Sequence, residues 1–151
     1  MTTIAYDHKN KQIACDSRET AGGCVVTDES IKYKEDGDKL WFLCGSKSDV
    51  DLFTSTFKHN DESPKNMDCS GLLVRNGVPY KACNVDGVYK IDKMSSNEGF
   101  GSGGWYAQAA VDLGLTAEKA VEYAMTRDIY SGGKVHTYDI KKGKFLKGNK
   151  R

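Results

Sequence analysis

The chain has 151 residues, a formal net charge of +1, 38% hydrophobic residues, 16 glycines and only two prolines. That is enough chain for one domain with a sizeable core, and the near-neutral balance gives no global field to draw in nucleic acid or a membrane surface. No apolar run approaches a membrane span and no basic-then-apolar segment opens the chain as a signal peptide would.

The first stretch, Met1-Thr2-Thr3-Ile4-Ala5-Tyr6, reads as a strand over Thr2–Tyr6 because Thr3, Ile4 and Tyr6 are strand formers. A small second residue also permits removal of Met1, which would leave Thr2 with a free α-amine. Such an amine titrates near pH ~8 and is a base one carbon from the threonine hydroxyl. Many chains begin Met-Thr and make no use of it. A second strand, Gln12–Asp16, follows a turn at His8–Lys11. Asp16 falls where that strand gives way to a loop, a frequent place for a functional carboxylate and equally for a turn former. Gly22-Gly23 breaks the chain, and Cys24–Val26 reads as a short strand. Ser30–Lys34 and Lys39–Cys44 read as strands around Glu35–Asp38, a hairpin signal. Lys32 lies in the first of them, where most lysines simply face water.

Ser48 reads as the N-cap of a helix over Ser48–Lys58, with Asp49 and Asp51 in its first turn and Val50, Phe53 and Phe57 on one apolar stripe. Asn60–Asp68 is polar, contains Pro64 and reads as a loop. Cys69–Arg75 and Tyr80–Cys83 are strands around Asn76-Gly77, and Gly87–Asp92 is a further strand. Gly99-Phe100-Gly101-Ser102-Gly103-Gly104 leads into a helix over Gly104–Leu113. Its glycine spacing is wrong for a dinucleotide fingerprint. Thr116 caps a second helix with Ala117, Ala120, Val121, Ala124 and Met125 on one face. Arg127–Gly133 follows it, with the glycines as a C-cap and turn. Lys134–Ile140 alternates as a strand, Gly143 turns into Lys144–Leu146, and 147–151 is a basic tail expected to fray. The five cysteines include no Cys-x-x-Cys pair, so reduced intracellular thiols are expected. The three histidines, His8, His59 and His136, show no metal spacing. No repeat, linker or second domain is evident, so 1–151 reads as a single domain.

The order Thr2, Asp16, Lys32, Gly45-Ser46 before a helix, Gly101-Ser102-Gly103 before another and Arg127-Asp128-x-x-Ser131-Gly132-Gly133 after a third resembles the proteasome β-subunit and HslV-like family of N-terminal nucleophile (Ntn) hydrolases. The opening Thr-Thr-Ile and Gly101–Ala110 look most like HslV, and Arg127–Gly133 looks more like the eukaryotic catalytic β subunits. The resemblance implies an α+β fold, a four-layer αββα sandwich. It also implies roles. Thr2 would be the nucleophile, with Lys32 beside its hydroxyl and Asp16 holding Lys32 by an ion pair. The Gly45 amide would face the oxyanion, and Ser102, Asp128 and Ser131 would orient the amine and relay protons. The substrate would be a peptide bond, with no cofactor required. Expected partners are other copies of the chain in a ring, an AAA+ ATPase unfoldase and unfolded protein or peptide, with no nucleic acid and no membrane. The expected location is cytoplasmic, or the host cytoplasm if the chain is viral.

Two departures bear on this. Asn60–Asp68 leaves no room for the long helix that the family places after its first one. Retention of Met1 would turn the Thr2 amine into an amide and block the mechanism. Two functions therefore stand side by side, a threonine-type peptidase and a non-catalytic assembly or binding protein that reuses the fold with Met1 in place. At the start of the Gly104–Leu113 helix, Trp105 and Tyr106 cannot easily share a core with Ala107, Ala109 and Ala110. At least one is expected on an outer surface where an interface would form, unless both lie flat over the domain's own edge.

Overall fold

A computed structural model describes residues 1–146; the expected frayed tail, 147–151, lies outside the described residues. Alternation along the first strand sets the layering. β1 (Thr3–Asp7) is buried at every position because both of its faces are covered. Ile4 and Tyr6 point one way into a core shared with Ile13 and Cys15 of β2 (Gln12–Cys15) and with Leu40, Phe42, Leu72 and Val74 of a second sheet. Ala5 and Ala14 point the other way. Their small side chains let α2 (Gly104–Asp112) and α3 (Ala117–Met125) lie close, through Ala107, Ala110, Ala120, Val121 and Ala124.

The first sheet runs β10-β1-β2-β11-β12, with β10 (Glu98–Gly101), β11 (His136–Asp139) and β12 (Lys144–Phe145) joining the opening hairpin. Its central pairings are antiparallel, Ile4 opposite Cys15 on one side and opposite Phe100 on the other. The second sheet is a meander, β5 (Tyr33–Asp36), β6 (Lys39–Cys44), β7 (Ser70–Arg75), β8 (Val78–Val85) and β9 (Val88–Lys93). Its outer face carries Trp41, Leu43, Leu73 and Tyr89, which pack with Phe53 of α1 (Lys47–Thr56) and with Met67 and Cys69 from the following loop.

The expected four-layer αββα sandwich is corrected by these elements. The described residues are mostly β, 39% strand against 19% helix, in three sheets with three helices. The physical reason lies after α1. That helix has ten residues and buries only Phe53 and Thr54. The chain from 57 to 69 then forms no helix; its Glu62 makes an isolated bridge to Val88, and loop residues close the sheet face instead.

Smaller expectations shift as well. The α1 N-cap is Ser46 rather than Ser48: the Ser46 hydroxyl accepts from the Asp49 N–H at 3.2 Å, and the helix begins at Lys47. Thr116 caps α3 as expected, accepting from Lys119. Two strands were not anticipated. β3 (Glu19–Ala21) pairs with β4 (Cys24–Thr27) as a separate hairpin over Gly22-Gly23, and β10 is the glycine-rich run read as a lead-in to α2. Lys32 lies in the irregular stretch just before β5, not within a strand.

Candidate active site

Thr2 sits at the open end of the first sheet, immediately before β1, and is 5% exposed. Glycine makes that placement possible. Gly101, opposite Thr3, has φ +87°, and a Cβ there would overlap the Thr2 carbonyl oxygen; a Cβ on Gly103 would overlap the Thr3 hydroxyl. β10 and the start of α2 can thus close on the N-terminal strand only as bare backbone.

The Lys32 ammonium donates to Thr2 Oγ1 at 3.0 Å and to the Met1 carbonyl at 2.8 Å. It also faces Asp16 Oδ1 at 3.6 Å. The Asp16 side chain is wholly buried and that of Lys32 is 10% exposed. A buried carboxylate is costly unless its lone pairs are met, and those of Asp16 are. Oδ1 accepts the Thr3 N–H at 3.0 Å, and Oδ2 accepts the N–H groups of Arg18 at 3.2 Å and Gly132 at 3.1 Å. Thr2, Lys32 and Asp16 therefore form one connected group drawn from three separate segments.

Ser102, Asp128 and Ser131 form a second group. Ser102 sits in the turn between β10 and α2 and donates to Asp128 Oδ2 at 2.5 Å; Ser131 donates to the same oxygen at 2.7 Å. Asp128 is placed by the end of α3, where its N–H donates to the Ala124 carbonyl, and its Oδ1 accepts from the Tyr130 N–H at 3.2 Å. The Ser131 hydroxyl lies 2.5 Å from Thr3 Oγ1, one residue along from the position implied by the resemblance. The two groups meet at Asp16, whose carboxylate holds both the Thr3 and the Gly132 amides.

A cleft of about 660 Å³ opens beside Thr2, and Gly45 lines it together with Lys32, Thr20, Ile31 and Leu43. Gly45 has φ +144°, and a Cβ there would come within 2.8 Å of the Asp68 carbonyl, so the position excludes side chains. The neighbouring Cys15 thiol is kept protonated, mainly by full burial and secondarily by the Asp16 charge, with Lys32 opposing. It is an inert packing group at this site. Among the described residues no three His, Cys, Asp or Glu side chains gather as metal ligands, and no helix is long and apolar enough to cross a membrane.

This backbone is similar to that of Thiobacillus denitrificans BPH in complex with epoxomicin, a proteasome inhibitor, with a TM-score of 0.66 and 18% identity over 90% of this chain and 96% of that chain. The fold is proteasome-like. A second structure of Thiobacillus denitrificans BPH gives a TM-score of 0.63 and 18% identity over 91% of this chain and 95% of that one. No family model and no curated protein matches the sequence.

Sequence reasoning left out residues that the proteasome-like frame relies on. Thr3 enters the sequence reading only as a strand former, yet its N–H and its hydroxyl join the two groups. Arg18 and Asp28 were given no role, although Arg18 forms a two-pronged ion pair with Asp28, Nε to Oδ1 at 2.8 Å and Nη2 to Oδ2 at 3.1 Å. The one available signal for Arg18 was its place two residues after the candidate carboxylate.

Proposed function

We propose that this protein is a threonine-type peptidase acting through Thr2 once Met1 has been removed. The observation that carries the reading is the 3.0 Å contact between the Lys32 ammonium and Thr2 Oγ1, with Asp16 buried behind it. An ammonium in that place favours the alkoxide over the hydroxyl and helps keep a released α-amine neutral. The amine takes the hydroxyl proton as Oγ1 attacks a peptide carbonyl. The oxyanion that forms would face the cleft wall at Gly45, whose backbone amide is the donor the resemblance implies for it. The C–N bond then breaks, the amine returns its proton to the leaving nitrogen, and an ester on Thr2 remains. Water hydrolyses that ester with the amine again as base. Asp128, bridged by Ser102 and Ser131, is the proton-relaying and orienting group beside the strand.

Partners follow from the same reading. Trp105 and Tyr106 are 84% and 43% exposed, which supports self-association into a ring, and an ATP-driven unfoldase would feed unfolded chains to it. A second reading has its own observation: the Met1 carbonyl accepts from Lys32 at 2.8 Å, so the blocked form is itself well bonded. In that case the protein is a non-catalytic assembly or binding component.

Intact-mass spectrometry separates the two. The peptidase reading expects the mass without Met1 and a covalent adduct with epoxomicin that Thr2→Ala abolishes. Retention of Met1 in all molecules, or an adduct that survives Thr2→Ala, refutes it.

A further inference from the structure

We infer that Arg18 is a positioning residue that holds the two halves of the candidate site in register, through the Asp28 carboxylate and the 128–133 loop; its effect on reactivity rests on the peptidase reading above. The guanidinium reaches two segments at once. Nε and Nη2 donate to the two oxygens of Asp28, at 2.8 and 3.1 Å, and Nη1 donates to the Ile129 carbonyl at 3.1 Å. Its plane also lies against Gly132, where a Cβ would come within 2.5 to 2.7 Å of Cζ, Nε and Nη2. Gly133, at φ +76°, is pressed in the same way against the Asp28 backbone. The two glycines are where the loop accepts the clamp.

Each segment carries part of the site. Asp28 begins the stretch that runs without strand or helix to Lys32. Such a stretch takes its course from tertiary contacts, here the Arg18 ion pair and the Ser30 N–H, which donates to the Ser17 carbonyl at 2.9 Å. The 128–133 loop carries Asp128 and Ser131, and through the Gly132 N–H it holds Asp16 Oδ2. Arg18 adds its own N–H to that oxygen. One side chain thus sets where Lys32 arrives and where Asp128 and Ser131 stand, without touching Thr2. The planar fork matters as well as the charge, because three donors must meet acceptors on two segments in fixed directions.

The test uses Arg18→Lys, which keeps the charge and loses the fork, and Asp28→Asn, which keeps the shape and loses the anion. The first readout is hydrogen exchange of the Thr3 and Gly132 amides by NMR, both bonded to Asp16. Their protection is expected to fall in both variants relative to amides of β7 and β8. The second readout is the rate of Thr2 modification by epoxomicin, followed by intact mass and normalised to the folded fraction. It is expected to fall on the order of a hundredfold, with the pH profile moved to the alkaline side, because an amine that loses its neighbouring ammonium is more easily protonated. A purely structural ion pair would lower the melting temperature and leave the normalised rate and the profile where they were. Unchanged Thr3 and Gly132 protection in both folded variants overturns the inference whether or not the wild type reacts. A wild type that never reacts refutes the peptidase reading, and the exchange data then decide the clamp alone.

Discussion

Replacing Lys32 by Met is the sharpest single perturbation of the candidate site. It keeps most of a stem that is 10% exposed and removes only the ammonium. Taking one partner from a buried ion pair costs about 3–5 kcal/mol when the remaining charge is left uncompensated. Asp16 is not left bare, because the Thr3, Arg18 and Gly132 N–H groups still reach it. Hydrogen bonds to a charged group are worth about 1.5–3 kcal/mol each, so the expected loss falls at or below the bottom of the ion-pair range, about 2–3 kcal/mol. For a chain of this size that lowers the melting temperature by about 4–12 °C. Urea unfolding can be read from tryptophan fluorescence in a Trp105→Ser background, where Trp41, 1% exposed, is the single reporter and changes environment on unfolding. Thr2 reactivity should disappear in the same preparation. A Lys32→Met protein within about 0.5 kcal/mol of wild type, still modified at Thr2, would show that the ammonium neither compensates Asp16 nor serves the hydroxyl.

Gly101→Ala should destabilise by more than the ~1–2 kcal/mol that a side chain costs in the left-handed region, because its Cβ meets the Thr2 carbonyl. Gly143→Ala, at φ +65° with nothing within 4 Å, is the control, and equal melting temperatures for the two variants would contradict the close approach of β10 to the N-terminal strand. Acid should act through Asp139, whose pKa is held below 3.8 chiefly by the Lys142 N–H, and through Asp28, held below it by the hydrogen bond from Arg18. A depressed carboxylate stabilises the fold above its unfolded pKa and loses that contribution as pH falls through the folded one. The urea midpoints of wild type and Asp139→Asn should therefore differ at pH 7 and converge below pH ~4; a gap that widens in acid would reverse the assignment. Light scattering at concentrations well above micromolar should give an oligomer that Trp105→Ser weakens, and a wild-type monomer there would remove the ring.

Local chemistry made much of this protein legible from its residues. The strand formers in Thr3–Tyr6, the hairpin signal at Glu35–Asp38 before Lys39–Cys44, the Asn76-Gly77 turn and the Thr116 cap are short-range signals, and the corresponding elements form. The seven candidate residues carried no such signal individually. They were connected by their order along the chain, and the structure draws six of them into two joined hydrogen-bonded groups, with Gly45 in the cleft wall. What sequence could not decide was contact between distant segments. Whether Gly99–Gly104 is a strand or a lead-in depends on β1 lying beside it, since glycines have no side chain to announce a partner. The Ser46 cap and the strand-free course of Lys32 turn on which neighbouring hydroxyl or loop is closer, a difference of one or two residues that propensity does not resolve. The helical layers were overestimated for the same reason. The sequence of Asn60–Asp68 reads as a loop, but only the folded chain determines that Met67 and Cys69 cover the outer face of the second sheet in place of a helix. Arg18 shows the limit most clearly. An arginine two residues beyond a carboxylate has no meaning until Asp28, Ile129 and Gly132 are brought around it, because a clamp exists only when the two segments that carry its acceptors are already in place.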